Sequence, residues 1–158
     1  MSLKQSIYDD VKNALREKNE VRLSTLRMLS SAITNKEIEL RKKDVGLSDE
    51  EVIEVLQGEA KKRKDSIESF QKGGRTDLVE KESKELSILS SYLPPEMSDE
   101  ELQSRIEEGI REANAKSMAD FSNVMKAIMP VLKGKASGDR ISEMVRSHLS
   151  SQEKNDGN

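Results

Sequence analysis

The chain has 158 residues, 36% of them charged and 34% hydrophobic, with two tyrosines, two phenylalanines, no tryptophan and no cysteine. This composition suits packed helices and leaves little for a β-sandwich or barrel, and it excludes disulfides, thiolate nucleophiles and cysteine-held metals. The net charge of −3 is unevenly spread: 18 basic against 18 acidic residues over 1–95, 2 against 7 over 96–115, and 6 against 3 over 116–149, with −1 from the remainder. A single histidine, His148, cannot build a multi-histidine metal site, so neither a metal nor a cofactor is expected. The first ten residues hold two acids and no apolar core of a signal peptide. No stretch approaches the roughly 20 apolar residues of a spanning helix. The expectation is a soluble, cytoplasmic protein without a membrane partner.

Leu3, Ile7, Val11 and Ala14/Leu15 recur at helical spacing and predict a first helix of about four turns. Leu23, Leu26, Leu29 and Ile33 predict a second, closing at Arg41-Lys42-Lys43, where cations suit the negative helix end. Ser48-Asp49-Glu50-Glu51 is a capping box opening a third helix, which carries Val52, Ile53, Leu56, Ala60, Ile67 and Phe70 on one face. Gly73-Gly74 stops it. A fourth helix starts near Asp77 and carries Leu78, Val79, Leu86, Leu89 and Tyr92/Leu93.

Pro94-Pro95 divides the chain, because neither proline donates to a helix and the first restricts Leu93. Ser98-Asp99-Glu100-Glu101 is a second capping box, followed by Leu102, Ile106 and Ile110. Asp120 is placed to cap a helix bearing Phe121, Val124, Met125, Ile128, Met129 and Leu132, with Pro130 in its last turn. Gly134 ends that helix. Ser137 or Asp139 opens the last one, with Ile141, Met144/Val145 and Leu149 inward. The expected fold is all-α: a bundle of about four helices over residues 1–93, a three-helix domain over 96–150, and a frayed tail over 151–158.

The motifs with chemical potential each have an ordinary alternative. The two Ser-Asp-Glu-Glu clusters lack the alternating acids and central glycine of a calcium loop and read as caps. Lys61-Lys62-Arg63-Lys64 could face RNA, but Glu59, Asp65 and Glu68 stand four residues away as partners, which favours a paired, solvated helix face. His148 reads as a surface histidine near a helix end. Gly134-Lys135-Ala136-Ser137 lacks the glycine, serine and strand of a nucleotide phosphate loop. What remains is the basic connection between the last two helices. There Lys133, Lys135 and Arg140 surround a helix N-terminus, with Lys126 about two turns back. Lysines and free N–H groups together can hold phosphates. Gly134 and Gly138 would admit a close backbone approach or simply permit the turn. A hydrated, lysine-rich turn explains the same residues.

At this stretch, VMKAIMPVLKGKASGDRISEMV (Val124 to Val145) resembles the closing motif of the GatB/YqeY family. LSTLRMLSSAITNKEIEL (Leu23 to Leu40) and SYLPPEMSDEEL (Ser91 to Leu102) are similar to its free-standing YqeY-type members. Ser137 stands where members often carry aspartate; either residue can cap a helix. The resemblance implies an all-helical, two-part protein related to the helical and tail regions of the B subunit of tRNA-dependent amidotransferases. It also implies the label of a carbon–nitrogen ligase with glutamine as amido-nitrogen donor, which belongs to the whole complex.

The leading expectation is a binding module for tRNA, or a tRNA-like RNA, using Lys126, Lys133, Gly134, Lys135, Gly138 and Arg140. With few aromatics to stack bases, contacts would fall on phosphate and ribose; DNA binding is not expected. The alternatives are a component of an amidotransferase-like ligase and a helical adaptor with a protein partner. No residue has a catalytic pattern, since no serine sits in a motif supplying both an activating base and an oxyanion site. The isolated chain is therefore expected not to be an enzyme.

Overall fold

The computed structural model describes residues 1–157. Among these the chain is all-α, with seven α-helices and no strand. It divides into two compact units, Met1–Leu93 and the residues from Pro94 onward, each described by itself.

The first unit comprises α1 (Leu3–Arg16), α2 (Glu20–Glu39), α3 (Asp49–Lys72) and α4 (Thr76–Ser90). Ile7, Leu26, Leu29, Ile33, Val52, Leu56 and Leu89 form its apolar centre. The break between α1 and α2 needs neither glycine nor proline. Lys18 adopts a left-handed φ of 55°, and the N–H groups of Lys18 and Asn19 turn back onto the carbonyls of Leu15 and Ala14. This closes the helix in the manner usually assigned to glycine. Arg41 ends α2 in the same way. At α3, Ser48 and Glu51 form both halves of the capping box. The Lys42 ammonium, and then the Ser48 N–H, hold the Glu51 carboxyl below its ordinary value.

Polar groups enter this interior. Glu37 is buried and pairs with Lys4. The Tyr92 hydroxyl donates to Asp10, which also pairs with Arg22 at 3.4 Å. Burial first, and then the Asp10 hydrogen bond, push the Tyr92 phenol well above its ordinary range. Arg63 overturns an expectation: it does not belong to a solvated face but is buried. Its guanidinium engages Glu59 on its own helix and reaches Glu85 of α4 at 3.5 Å. Residues 64–84 contain no buried position. The outer halves of α3 and α4 therefore form a two-helix arm over half-buried Ile67, Phe70, Leu78 and Val79, closed at its base by Arg63.

The second unit comprises α5 (Asp99–Glu112), a 3-10 turn over Met118–Asp120, α6 (Phe121–Leu132) and α7 (Gly138–Asp156). Leu102, Ile106, Ile110, Val124, Ile128, Leu132, Ile141, Val145 and Leu149 form its core. Gly109 permits close packing of α5 on α6, since a Cβ there would lie 2.6 Å from Ile128 Cγ1. Three local expectations change. Ser98 accepts from the Glu101 N–H at 3.2 Å, but the reciprocal half of that capping box is not formed. Asp120 does not cap α6 through its side chain; it accepts instead from the N–H groups of Lys116 and Ser117. The last helix continues to Asp156, past Ser150 where a frayed tail is expected. Glu153 helps hold it there by accepting from the Met118 N–H at 2.8 Å.

Candidate nucleic-acid interface

The connection between α6 and α7 is fixed from several sides. The Lys133 N–H bonds to the Met129 carbonyl, and the Lys135 N–H to that of Leu132, both at 2.9 Å. Gly134 has φ 85°, so the turn itself requires glycine. Gly138 lies in the first turn of α7, where a Cβ would meet Met129 Cε at an ordinary 3.9 Å, so packing does not demand glycine there. Ala136 is buried, and Ser137 caps α7 by accepting from the Arg140 N–H at 3.2 Å. The Met97 N–H donates to the Lys135 carbonyl at 2.7 Å, joining the entry of the unit to the connection.

On this frame Lys126, Lys133 and Lys135 are exposed. Lys126 and Lys133 are seven residues apart, close to two helical turns, which sets them along the same side of α6. Arg140 is less exposed than the lysines. Its guanidinium donates to Asp99 Oδ1 from Nε at 3.2 Å and to Glu96 Oε2 from Nη1 at 3.3 Å. Asp99 of the second Ser-Asp-Glu-Glu cluster, with Glu96 just before it, thus serves as counterion to the expected phosphate ligand. The sequence shows those acids but not that the start of α5 meets the start of α7.

The alternative basic stripe is broken by the burial of Arg63. His148 is also relocated: α7 extends beyond it, so it is a half-buried residue within the helix and not near its end. Among the described residues no group of three or more His, Cys, Asp or Glu could hold a metal ion. No helix there is long and apolar enough to cross a membrane.

The model of a family described as Yqey-like protein matches residues 4–149. The chain belongs to the YqeY-like family. Similar curated relatives are named Altered inheritance of mitochondria protein 41, mitochondrial. The one from Lachancea thermotolerans is 39% identical over 104 residues, covering 64% of this chain and 54% of the relative. Those from Clavispora lusitaniae and Pyrenophora tritici-repentis are 37% and 31% identical, covering 72% and 80% of this chain and 66% and 69% of the relatives. The chain thus spans between about half and two thirds of the length of these relatives.

Proposed function

We propose that this YqeY-like protein is an RNA-binding accessory module whose C-terminal unit holds tRNA, or a similarly folded RNA, by its phosphates. The observation that carries the reading is the exposure of Lys126, Lys133 and Lys135 around a connection whose backbone is fixed on both sides. A charge presented on a rigid frame orients a phosphate at lower entropic cost than one on a mobile loop. Arg140 plays a restrained part, because Asp99 and Glu96 compete with phosphate for its guanidinium. Recognition is by shape and backbone. The reading requires only a compartment that contains tRNA, whether the cytoplasm or the mitochondria for which the relatives are named.

The test is binding of labelled tRNA to the full chain, measured by anisotropy across a salt series. Three or four neutralised phosphates predict a log–log slope of roughly −2 to −4. Replacing Lys133 and Lys135 with alanine flattens the slope by about one to two without loss of helicity. Asp99→Asn, which loosens the grip on Arg140, steepens it by up to about one. Binding that is unaffected at the connection but lost on changing Lys61, Lys62 and Lys64 to glutamine moves the RNA surface to the α3–α4 arm. Arg63 is left intact in that experiment because it supports the fold. Absence of tRNA binding at low salt removes the reading and favours the adaptor role. Ammonia release from glutamine by the purified chain, lost on changing one serine, favours an amidotransferase activity.

A further inference from the structure

The connection lies beside the start of α5; the other end of that helix, about 21 Å away at 1.5 Å per residue, borders a different feature. A cleft of about 470 Å³ opens there between the end of α5 and the later turns of α7. Ile110 and Ala115 contribute its apolar lining. Its polar lining comes from Glu107, Arg111, Asn114, Lys116, His148 and Gln152.

The charges around the cleft are engaged asymmetrically. Glu153, next to Gln152, accepts from the Met118 N–H. Asp120 accepts from the N–H groups of Lys116 and Ser117. Glu107 receives the Gln103 amide at 3.4 Å. The carbonyls of Ile110 and Arg111 are closed by the N–H groups of Ala115 and Asn114, where Asn114 takes a left-handed φ of 51°. Among the described residues, by contrast, no ion pair or side-chain hydrogen bond engages the side chains of Arg111, Lys116 or His148.

Two cations and an imidazole therefore share a cleft with one lining carboxylate, Glu107, while Asp120 and Glu153 nearby are held by backbone N–H groups. The lining itself carries one net positive charge, Arg111 and Lys116 against Glu107, and with amides on either side it matches a tetrahedral oxyanion: a guanidinium offers paired donors, an ammonium a point charge, and amides complete the remaining acceptors. Arg111 also complements the carbonyl end of α5. That role accounts for a cation at this helix end but does not bring Lys116 and His148 to the same cleft.

We propose that this cleft is a phosphate-binding site, with Arg111 and Lys116 as the principal ligands and His148 and Gln152 at its wall. The phosphate could belong to a small phosphoester or to an RNA backbone. The site is independent of the α6–α7 connection and stands whether or not that connection holds RNA.

Because His148 is the only histidine, its imidazole resonances report on this cleft alone. In the full chain, inorganic phosphate and adenosine monophosphate should shift them saturably, whereas chloride at equal ionic strength should not. Arg111→Ala with Lys116→Ala should weaken the response at least tenfold, while Arg111→Lys with Lys116→Arg retains it. Lys133→Ala with Lys135→Ala should leave the phosphate response unchanged. A tRNA-induced shift that requires Arg111 and Lys116 identifies RNA as the source of the phosphate; a response to small phosphates alone identifies a soluble phosphoester. No saturable response to phosphate, adenosine monophosphate or tRNA overturns the proposal, as does a response that survives the double alanine change. Neither result bears on binding at the connection, which the tRNA salt series reads separately.

Discussion

In the N-terminal unit the buried residues include Thr25, Glu37, Arg63 and Glu85, whereas the core of the C-terminal unit from Leu102 to Leu149 is aliphatic. Arg63 and Glu85 join α3 to α4 at one level, so sliding either helix by a turn would leave a charge without its partner. Such a penalty can specify register even when the ion pair adds little net stability. The C-terminal unit relies on fit instead: Gly109 admits Ile128, and the ion pairs of Arg140 remain at the surface. Polar specification and steric specification thus occur side by side in one short chain.

The largest expected effect tests the polar interior. Arg63→Ala leaves Glu85 buried without its cation and should cost about 3–5 kcal/mol. Both tyrosines, Tyr8 and Tyr92, lie in the N-terminal unit, so tyrosine emission during urea unfolding reads that unit selectively. Replacing Arg63 with methionine and Glu85 with leucine should recover much of the loss, with Lys62 left as a partner for Glu59 at 3.1 Å. If the single and double variants lose equal stability, the importance of the unpaired charge is refuted.

Gly109→Ala provides the corresponding steric test. Overpacking against Ile128 costs about 1–3 kcal/mol, from which helix propensity returns up to about 1 kcal/mol. Net destabilisation should appear in the His148 resonances before it appears in tyrosine emission. An unaltered midpoint would show that α5 and α6 can separate freely.

Lys18→Gly should stabilise the N-terminal unit by up to about 1 kcal/mol, because glycine accepts a left-handed φ more readily. A lower urea midpoint would instead assign the Lys18 side chain a role that outweighs its backbone cost.

Acidification should produce a smaller difference at Glu51. Its folded carboxyl ionises below the ordinary 4.5, so its contribution is present above that pH and disappears as pH falls through the lowered value. Glu51→Gln should flatten the decline of the urea midpoint over that acidic interval. An identical decline in the variant would assign the acid sensitivity to other groups.

Helical periodicity in Leu3, Ile7 and Ala14, the Ser48 capping box, Gly73-Gly74 and Pro94-Pro95 made the order of elements legible before the structure. The closure at Lys18 was less legible, because three consecutive polar residues do not announce a left-handed turn. Arg63 was misread because its helical partner Glu59 is visible in the sequence, while its contact with Glu85 depends on the return of α4. The same limit applied to the candidate interface. Local spacing gathered Lys126, Lys133, Lys135 and Arg140, but the grip of Asp99 and Glu96 on Arg140 required the topology. The cleft around His148 was invisible for that reason too, since its cations are separated from the histidine by more than thirty positions.

The hydrogen bond from Met97 to the Lys135 carbonyl has a mechanical consequence. Tension entering the C-terminal unit through Pro94-Pro95 reaches Met97 before it reaches α5, and is shared there with the Glu96 contact to Arg140. The first elements to bear that load are therefore the α6–α7 turn and the start of α7. A tug on the linker would be felt as a change in lysine spacing while the aliphatic helices behind it remain unstretched.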